Sequence, residues 1–249
     1  MKRKSQNIYD NDTFFEGYKA LREQETCLND LIEQPAMSDM IPDLKGKNVL
    51  DLGCGYGKNC IDFINRGATY VFGVDISIKM LEIAKSESAH KNIQYKNIDM
   101  NNISEIKDKF DFVYSSLSFH YIEDFKMLAE NIFTLLNVGG CLLFSQEHPI
   151  MTATIDGKCY WNKDENGNKI SYTFSNYSQS GLRKSHWYVD DVEKYHRTFG
   201  ETITTLAKIG FTIDEVVEPI PKEWAIEKLP NIRKELLKPN FLIIKARKT

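Results

Sequence analysis

A short apolar run leads directly into three glycines at alternate positions, and this junction constrains the fold more than any other feature of the chain. Residues 49–57 read Val-Leu-Asp-Leu-Gly-Cys-Gly-Tyr-Gly. The apolar run is typical of a buried strand, and glycine lets the backbone turn tightly and lets a ligand approach closely. Residues 58–65 then read as a helix. The junction therefore predicts a strand, a tight turn and a helix, the context in which nucleoside cofactors bind.

Apolar runs and helix-like segments alternate along most of the chain. The predicted strands are residues 48–52, 70–74, 93–98, 110–114, 141–145, 211–217 and 241–246. The spacing of apolar residues predicts helices over 12–34, 58–65, 77–88, 123–136 and 196–209. Such alternation requires βαβ crossovers, so the predicted fold is α/β, with a Rossmann-like, seven-stranded, mostly parallel sheet and helices on both faces.

The alternation stops after the fifth predicted strand. Residues 150–195 are rich in aromatic and small polar residues, and Asn166-Gly167 lies between Tyr160-Trp161 and residues 170–174, which is typical of a hairpin inserted after strand five. We therefore predict a single domain over 1–249 with four parts. These are an N-terminal helical cap (1–44), a cofactor-binding core (45–148), an inserted substrate cover (149–195) and a C-terminal part of the sheet (196–249).

Charge and cysteine content favour a cytoplasmic protein that binds neither nucleic acid nor membrane. The chain has 32 Lys and Arg against 35 Asp and Glu, a formal charge of −3. No apolar run approaches the roughly 20 residues that span a bilayer, and no apolar segment follows Lys2-Arg3-Lys4 to make a secretion signal. Reduced thiols and no metal site are expected from five scattered cysteines without a CxxC pair, namely Cys27, Cys54, Cys60, Cys141 and Cys159.

A carboxylate at the end of the second predicted strand narrows the class of cofactor. Asp75 can accept both hydroxyls of a ribose there. A dinucleotide favours GxGxxG with a pyrophosphate at the helix N-terminus, but Lys58 stands in place of the third glycine. S-adenosylmethionine carries no phosphate and has a cationic sulfonium, so Asp51 beside the glycines suits it better. A nicotinamide cofactor remains the alternative at this point.

The string Asp-Leu-Gly-Cys-Gly-Tyr-Gly at residues 51–57 resembles motif I of the class I S-adenosylmethionine-dependent methyltransferases, of the methyltransferase type 11 group. The resemblance extends through Gly73 to Ser77, Asp99-Met100 and Phe110 to Ile122, and ends near Gly139-Gly140. It covers roughly residues 45–148. It implies S-adenosyl-L-methionine as the cofactor and methyl transfer as the reaction.

The resemblance also implies a set of cofactor contacts, which comprises Tyr18, Arg22, Asp51, Gly53, Cys54, Gly55, Asp75, Ile76, Met80, Asp99, Met100, Ser115 and Ser116. By this resemblance Asp75 holds the ribose and Asp99 accepts from the adenine amino group. Ser115 and Ser116 meet the methionine amino group, and Arg22 pairs with the cofactor carboxylate.

The remaining members of this set have subsidiary roles by the same resemblance. Residues 53–55 pass their backbone under the methionine part, Ile76 and Met80 flank the adenine, the Met100 backbone contacts the ring, and Tyr18 closes over the site. Simpler interpretations stay open for several residues. Met80 fits a core position, Arg22 a solvated helix position and Asp99 a turn at a strand end.

The methyl acceptor is expected at the carboxyl edge of strands four and five, beside the methionine end of the cofactor. His120 and His148 are the candidate bases there, although structural packing explains either histidine better than catalysis does. The candidate substrate contacts are Phe119, Tyr121, Glu147, His186, Trp187 and His196. The aromatic insertion is interpreted as a substrate cover, with a self-packed hairpin or a dimer contact as alternatives.

Together these features predict a methyltransferase that transfers a methyl group in line to a small-molecule acceptor, as a monomer or homodimer. No Asn-Pro-Pro-aromatic signature of amino-group methylation follows the fourth strand, where residues 115–118 read Ser-Ser-Leu-Ser, and no cysteine nucleophile lies there. The alternatives are a nicotinamide-dependent oxidoreductase on a related fold and a non-catalytic module that binds S-adenosylmethionine.

Overall fold

The computed structural model describes residues 5–24, 26–155 and 160–249. In those residues the strands are β1 (Asn48–Leu52), β2 (Tyr70–Asp75), β3 (Ile93–Asn97), β4 (Phe110–Ser115), β5 (Leu136–Glu147), β6 (Tyr160–Lys163), β7 (Lys169–Thr173), β8 (Gly181–Trp187), β9 (Val189–His196), β10 (Phe211–Val217) and β11 (Phe241–Lys248). The α-helices are α1 (Asp12–Glu23), α2 (Gln34–Met40), α3 (Lys58–Asn65), α4 (Ile78–Glu87), α5 (Phe125–Leu135), α6 (Pro149–Thr152), α7 (Phe199–Ile209) and α8 (Glu223–Lys228). A π-helix spans Asn29–Glu33, and 3-10 helices span Ile8–Asp10, Met100–Glu105, Phe119–Tyr121 and Pro230–Leu237.

Seven of the described strands form one sheet in the order β10-β11-β5-β4-β1-β2-β3. The pairs from β5 to β3 are parallel, whereas β11 runs antiparallel to both β5 and β10. The chain order reverses at β1, which lies between β4 and β2. A crevice opens at such a reversal, outside the carboxyl ends of the strands, and this is where α/β sheets bind ligands.

Helices cover both faces of the sheet, so the central strands are buried on both sides. Successive side chains of a strand point to opposite faces. In β1, Leu50 packs with Phe72 on the face that α5 and α7 cover, and Val49 packs with Phe63 on the face that α2 and α3 cover. The sheet is therefore a rigid support for the turns at its carboxyl edge. The predicted Rossmann-like, mostly parallel sheet is confirmed.

The first predicted helix, 12–34, is wrong in extent. The α-helix ends at Glu23, and the chain then changes direction before the π-helix Asn29–Glu33 and α2. The reason is that the two parts pack on different surfaces. Phe14 of α1 contacts the rings of Trp187 and Tyr188, whereas Leu31 is buried with Ala225 and Ile226 of α8. One straight helix could not make both sets of contacts.

Other predicted boundaries also change. Gly139-Gly140 lie inside β5 and do not close α5, and a Cβ on Gly140 would lie 2.8 Å from the Asn137 carbonyl oxygen. The helix predicted from residue 196 begins at Phe199, because Thr198 and Glu201 form a capping box there. Ser77 caps α4 as predicted, accepting a hydrogen bond from Met80 N.

The insertion contains two hairpins instead of the one that was predicted. The β6–β7 pair is the predicted hairpin, and β8–β9 is a second hairpin without an Asn-Gly turn signal. Its turn is at Tyr188, which has a φ of 60°. The predictions made for Lys2-Arg3-Lys4 and Cys159 fall outside the described residues. In the described ranges no helix is long and apolar enough to cross a membrane.

The N-terminal segment bridges the sheet and the second hairpin. Its Asp10 carboxylate accepts from Ser77 Oγ at 2.6 Å, next to the carboxyl end of β2. Gln6 exchanges hydrogen bonds with the backbone of Asp191 and Glu193 in β9, both at 2.9 Å. Phe14 is fully buried against aromatic rings of the same hairpin. Residues 5–23 and the β8–β9 hairpin therefore form a joint cover over the carboxyl edge of the sheet.

We expect Phe14→Ala to release this cover without unfolding the sheet. The loss of a buried phenylalanine costs about 3–5 kcal/mol, and here the cost falls on a segment outside the main core. Hydrogen exchange of backbone amides should speed up in α1 and β9 and stay slow in β1 and β4. Phe174→Ala, at a residue that is 39 % exposed, is the control. Equal loss of protection in β1 would contradict an independently docked cover.

Candidate functional site

A cavity of about 540 Å³ lies under the joint cover, at the carboxyl edge of the sheet. The predicted site residues that line it are Tyr18, Arg22, Gly53, Cys54, Gly55, Asp75, Ile76, Met80, Asp99, Met100, Ser116, His120, Tyr121, Glu147 and Trp187. The predicted site residues that do not line it are Asp51, Ser115, Phe119, His148, His186 and His196. The cavity thus joins the predicted cofactor edge to the predicted acceptor edge in one space.

The glycine turn after β1 forms the floor of this cavity. Gly53 and Gly55 have φ values of 75° and 53°, which favour glycine because a Cβ crowds the backbone there. A Cβ on Gly53 would also lie 2.3 Å from Ser118 Oγ. A Cβ on Gly55 would meet no atom within 4 Å, and this residue lines the cavity. The turn therefore leaves space for a ligand against bare backbone.

Asp75 ties the end of β2 to this turn. Its Oδ2 accepts from Gly55 N at 2.9 Å, and its Oδ1 accepts from Ser77 N at 2.8 Å. Burial raises the pKa of Asp75 to about 6, and these backbone hydrogen bonds oppose the rise. The carboxylate is therefore ionised at neutral pH. Its free lone pairs can accept the vicinal hydroxyls of a ribose, so the residues at this point fit a nucleoside.

The far end of the cavity beyond Asp75 is largely apolar. Ile76, Met80 and Ile98 line it, and Met80 is buried. Asp99 caps the 3-10 helix that begins at Met100, since its Oδ1 accepts from Asn101 N at 2.9 Å. Apolar walls with a single carboxylate at one edge fit a flat heteroaromatic ring that carries an amino group.

The opposite end of the cavity is walled by the segment from α1 to α2. Arg22 Nη1 lies 3.3 Å from Asp30 Oδ1 and 3.4 Å from Cys27 Sγ. Tyr18 and Tyr56 stand beside it with their ring centroids 6.2 Å apart. The hydroxyl of Tyr56 is buried without a partner among the described residues. A polar ligand here would find a guanidinium and a free hydroxyl.

Two predicted cofactor residues point away from the cavity. Asp51 is buried below the turn, where Cys60 Sγ donates to its Oδ2 at 3.3 Å, and burial raises its pKa to about 7. Ser115 donates its hydroxyl to the Leu52 carbonyl oxygen at 2.7 Å. Neither side chain lines the cavity, because each bonds to a buried partner within the protein. Ser116, the next residue, lines the cavity.

Three predicted histidines have structural roles. His148 caps α6, accepting from Ile150 N at 3.1 Å on Nδ1, and its Nε2 lies 2.8 Å from Glu218 Oε1. His196 is fully buried, with Nε2 2.8 Å from the Tyr177 carbonyl oxygen and Nδ1 2.9 Å from Thr152 Oγ1. His186 is exposed and paired with Asp190. None of these three histidines lines the cavity.

Phe119 does not line the cavity either. Its ring is fully buried in the core, 4.7 Å from the ring centroid of Phe144 and 6.2 Å from that of Phe125. The 3-10 helix Phe119–Tyr121 turns the first residue into the core and directs the next two to the cavity. A 3-10 helix repeats every three residues, so adjacent residues face different surroundings.

His120 remains beside the cavity in a neutral form. It is buried, and burial lowers its pKa to about 4. Its Nδ1 accepts from Glu147 N at 3.3 Å. A neutral imidazole carries one proton, so the proton of this ring is on Nε2. The ring can donate a hydrogen bond from Nε2, but that nitrogen has no lone pair with which to remove a proton.

Glu147 shares this corner with a lysine that the sequence did not single out. Lys194 Nζ lies 2.5 Å from Glu147 Oε1 and 5.4 Å from the centroid of the Trp187 ring. Burial is the largest influence and would raise the pKa of Glu147, but the neighbouring positive charges, chiefly that of Lys194, and the hydrogen bond from Lys194 together lower it. Both side chains are therefore ionised, and the net charge of the pair is zero. A lysine in a β-strand gave no pattern from which this contact could be predicted.

Several further lining residues come from parts of the chain that carry no motif. They are Tyr9, Gln6, Leu28, Asn29, Met151, Asn240 and Phe241. Tyr9 lies with its hydroxyl 3.4 Å from that of Tyr121, so it closes the acceptor end from above. Gln6 and Tyr9 belong to the N-terminal segment, Leu28 and Asn29 to the start of the π-helix, and Met151 to α6. Asn240 and Phe241 come with β11, whose start lies beside the end of β5.

Comparison with known proteins identifies the family. The family model described as "Methyltransferase domain" matches residues 49–140. An uncharacterised protein of Haemophilus influenzae is 37 % identical over 253 residues, which covers 97 % of each chain. A ubiquinone biosynthesis O-methyltransferase of Coxiella burnetii is 34 % identical over 104 residues, and this match spans 44 % of its length.

Solved structures give the same result over most of the chain. A protein of Listeria monocytogenes assigned to the S-adenosylmethionine-dependent methyltransferases is 37 % identical, with a TM-score of 0.80 over 87 % of this chain and 96 % of its own. An S-adenosylmethionine-dependent methyltransferase of Mesorhizobium loti is also 37 % identical, with a TM-score of 0.80 over 86 % and 97 %. The predicted family, cofactor and enzyme class are confirmed. The chain belongs to the S-adenosylmethionine-dependent methyltransferases.

Proposed function

We propose that this enzyme methylates a small molecule held between the turn after β4, the end of β5 and the β8–β9 hairpin. One observation carries the proposal. A single covered cavity runs from Asp99, at the end expected for adenine, to Trp187 and Glu147 at the other end. Its volume of about 540 Å³ is in the range of small-molecule sites. The partial relatives named for ubiquinone biosynthesis act on a small molecule through oxygen, which supports the same class of acceptor here.

The cofactor contacts are proposed from this geometry. Asp75 would hold the ribose hydroxyls, Asp99 the adenine amino group and Arg22 the carboxylate of the methionine tail. The backbone of Gly53 and Gly55 would lie under the tail. When bound, S-adenosylmethionine supplies a methyl group on a sulfonium, which is already a good leaving group. The protein then has to align the acceptor and exclude water.

The joint cover would exclude water. Tyr9 and Tyr18 lie edge to face with ring centroids 5.2 Å apart, and Tyr9 lies 6.2 Å from Tyr121 in the same way. Trp187 lies 6.1 Å from Tyr18. These aromatic rings make a dry wall of defined shape beside His120 and the acceptor position.

His120 would orient the acceptor and would not act as its base. Its Nε2–H can donate to an acceptor oxygen, and this hydrogen bond would place that oxygen relative to the methyl group. Glu147 is a weak base because Lys194 lowers its pKa. Both features favour an acceptor oxygen that needs no strong base, such as a carboxylate or an acidic phenol.

The function is tested by incubating the purified protein with S-adenosylmethionine and measuring release of S-adenosylhomocysteine. The panel contains carboxylic acids, phenols, thiols and amines, with bulk tRNA and unfolded protein as macromolecular controls. We expect turnover with an oxygen acceptor from the small-molecule set. Turnover with tRNA or protein, and with none of the small molecules, would show the proposal to be wrong.

Asp75→Ala should weaken cofactor binding. The change removes the acceptor of the ribose hydroxyls, and a hydrogen bond to a charged group contributes about 1.5–3 kcal/mol, so S-adenosylhomocysteine should bind roughly tenfold or more weakly. Isothermal titration calorimetry measures the change. Asp108→Ala, at an exposed aspartate between β3 and β4, is the control and should leave the affinity unchanged. An unchanged Kd in a folded Asp75→Ala protein would contradict the ribose assignment.

The lowered pKa of His120 predicts a pH dependence of stability. The folded pKa of about 4 lies below the ordinary value of 6.5, so between these values the unfolded chain binds the extra proton. His120 therefore destabilises the folded state as the pH falls from 6.5 to 4, by about 3 kcal/mol. Relative to His120→Gln, the free energy of unfolding of the wild type should fall by this amount in urea titrations. The exposed His90, replaced by Gln, should give no such difference.

Two variants at position 120, His120→Gln and His120→Ala, separate a hydrogen-bond donor from a base. Glutamine keeps an N–H donor close to the position of Nε2, and alanine keeps none. Once an acceptor is known, His120→Gln should retain most of kcat/KM, and His120→Ala should lose about tenfold or more, the value of one hydrogen bond to a charged group. Equal loss in both variants would mean that His120 does transfer a proton.

A further inference from the structure

A buried carboxylate outside the resemblance to known methyltransferases stands behind the methionine end of the cavity. Glu33 ends the π-helix and is 0 % exposed. Its Oε1 accepts from the hydroxyls of Ser116 at 2.9 Å and of Ser145, and its Oε2 accepts from Gln34 Nε2 at 2.8 Å. Three elements, α2, β5 and the turn after β4, therefore converge on one carboxylate.

The hydrogen bonds around Glu33 fit the ionised form. Leu117 N donates to Ser145 Oγ at 3.0 Å, and Gln34 Nε2 donates to Ser116 Oγ at 3.0 Å. Each of these hydroxyls keeps its proton free to donate to Glu33. Burial raises the pKa of Glu33 above its ordinary value, and the bonds from Ser145, Ser116 and Gln34 offset part of that rise. All three groups around the carboxylate donate to it, so the network has no acceptor for a carboxyl proton.

No salt bridge joins Glu33 to a lysine or arginine within residues 5–24, 26–155 and 160–249. The nearest candidate, Arg22, forms its ion pair with Asp30 at 3.3 Å. Buried charges in proteins are normally paired, because a lone one is costly. A buried carboxylate with three donors and no cation therefore indicates that a cation arrives with a ligand.

The hydroxyl of Ser116 lies between the cavity and the Glu33 carboxylate. Gln34, Ser116 and Leu117 all line the cavity. Leu117 has a φ of 50°, a conformation that is costly for leucine, and the bond from its N–H to Ser145 holds it there. Arg22 lines the same wall, and its positive charge lowers the pKa of Glu33. This wall thus presents a guanidinium to the cavity and has a carboxylate one hydroxyl behind it, an arrangement that complements a zwitterion.

We propose that Glu33 supplies the negative charge that holds the ammonium of the methionine tail, acting through Ser116, while Arg22 holds the carboxylate. This proposal rests on the cofactor orientation given above. Asp51 beside the glycines does not fill this role, since it points away from the cavity. Glu33 does not line the cavity, so it is a positioning residue that selects a cofactor with an amino-acid tail.

The test compares the binding of three probes by calorimetry. S-adenosylhomocysteine carries both charges of the tail, its decarboxylated analogue carries only the ammonium, and 5′-methylthioadenosine carries neither. Glu33→Gln keeps the shape and removes the charge. It should raise the Kd of the first two probes about tenfold and leave 5′-methylthioadenosine within about twofold. Arg22→Gln is the matched control and should weaken S-adenosylhomocysteine alone.

Two results would overturn the proposal. If Glu33→Gln weakens the binding of all three probes equally, Glu33 only supports the fold. If it weakens the binding of none of them, the charge of Glu33 does not affect cofactor binding. Ser116→Ala provides a second route should Glu33→Gln unfold, because it removes the link and leaves Glu33 bonded to Ser145 and Gln34. It should reproduce the pattern of Glu33→Gln. Asp75→Ala weakens all three probes if the cofactor orientation is right, so failure of the orientation is distinguishable from failure of the Glu33 role.

Discussion

The hydrogen bond from Gly55 N to the Asp75 carboxylate is the interaction on which the site depends. It joins the turn after β1 to the end of β2 and fixes the turn in a conformation that leaves its backbone bare. Ser77 N donates to the same carboxylate, and Ser77 Oγ donates to Asp10 of the N-terminal segment. One buried carboxylate thus organises the floor of the cavity, and through Ser77 it positions the cover. The parallel sheet, buried on both faces, keeps these elements rigid.

Buried charges at the two ends of the cavity are balanced differently. At the acceptor end, Lys194 neutralises Glu147 within the protein, and burial keeps His120 uncharged. At the methionine end, Glu33 is satisfied by hydrogen bonds alone. A low dielectric strengthens electrostatic interactions with a ligand and makes an unpaired charge costly. The two ends therefore differ in one respect: Lys194 pairs with the charge of Glu147, whereas Glu33 forms no salt bridge with a lysine or arginine of the described residues.

The cofactor edge could be predicted from local sequence because its residues follow strands that are short, apolar and regularly spaced. Gly53, Asp75 and Asp99 line the cavity as predicted from their positions at strand ends. Asp51 and Ser115 do not line it, because their side chains bond to Cys60 and to the Leu52 carbonyl oxygen within the protein. His148 and His196 do not line it either. The ring nitrogens of His148 bond to Ile150 N and Glu218, and those of His196 bond to Thr152 and Tyr177.

The sequence by itself determined the fold class, the family and the cofactor, because these depend on residue type at fixed spacing within single βα units. Only the tertiary structure decided which segments cover the site. Tyr9, Lys194 and Glu33 lie far apart in the chain and follow no motif. Tyr9 lines the cavity, whereas Lys194 and Glu33 stand behind the lining residues Glu147 and Ser116. All three are placed there because the N-terminal segment, the second hairpin and the π-helix pack against the sheet. Such long-range packing is set by shape and burial between segments, which leave no periodic signal in either segment alone.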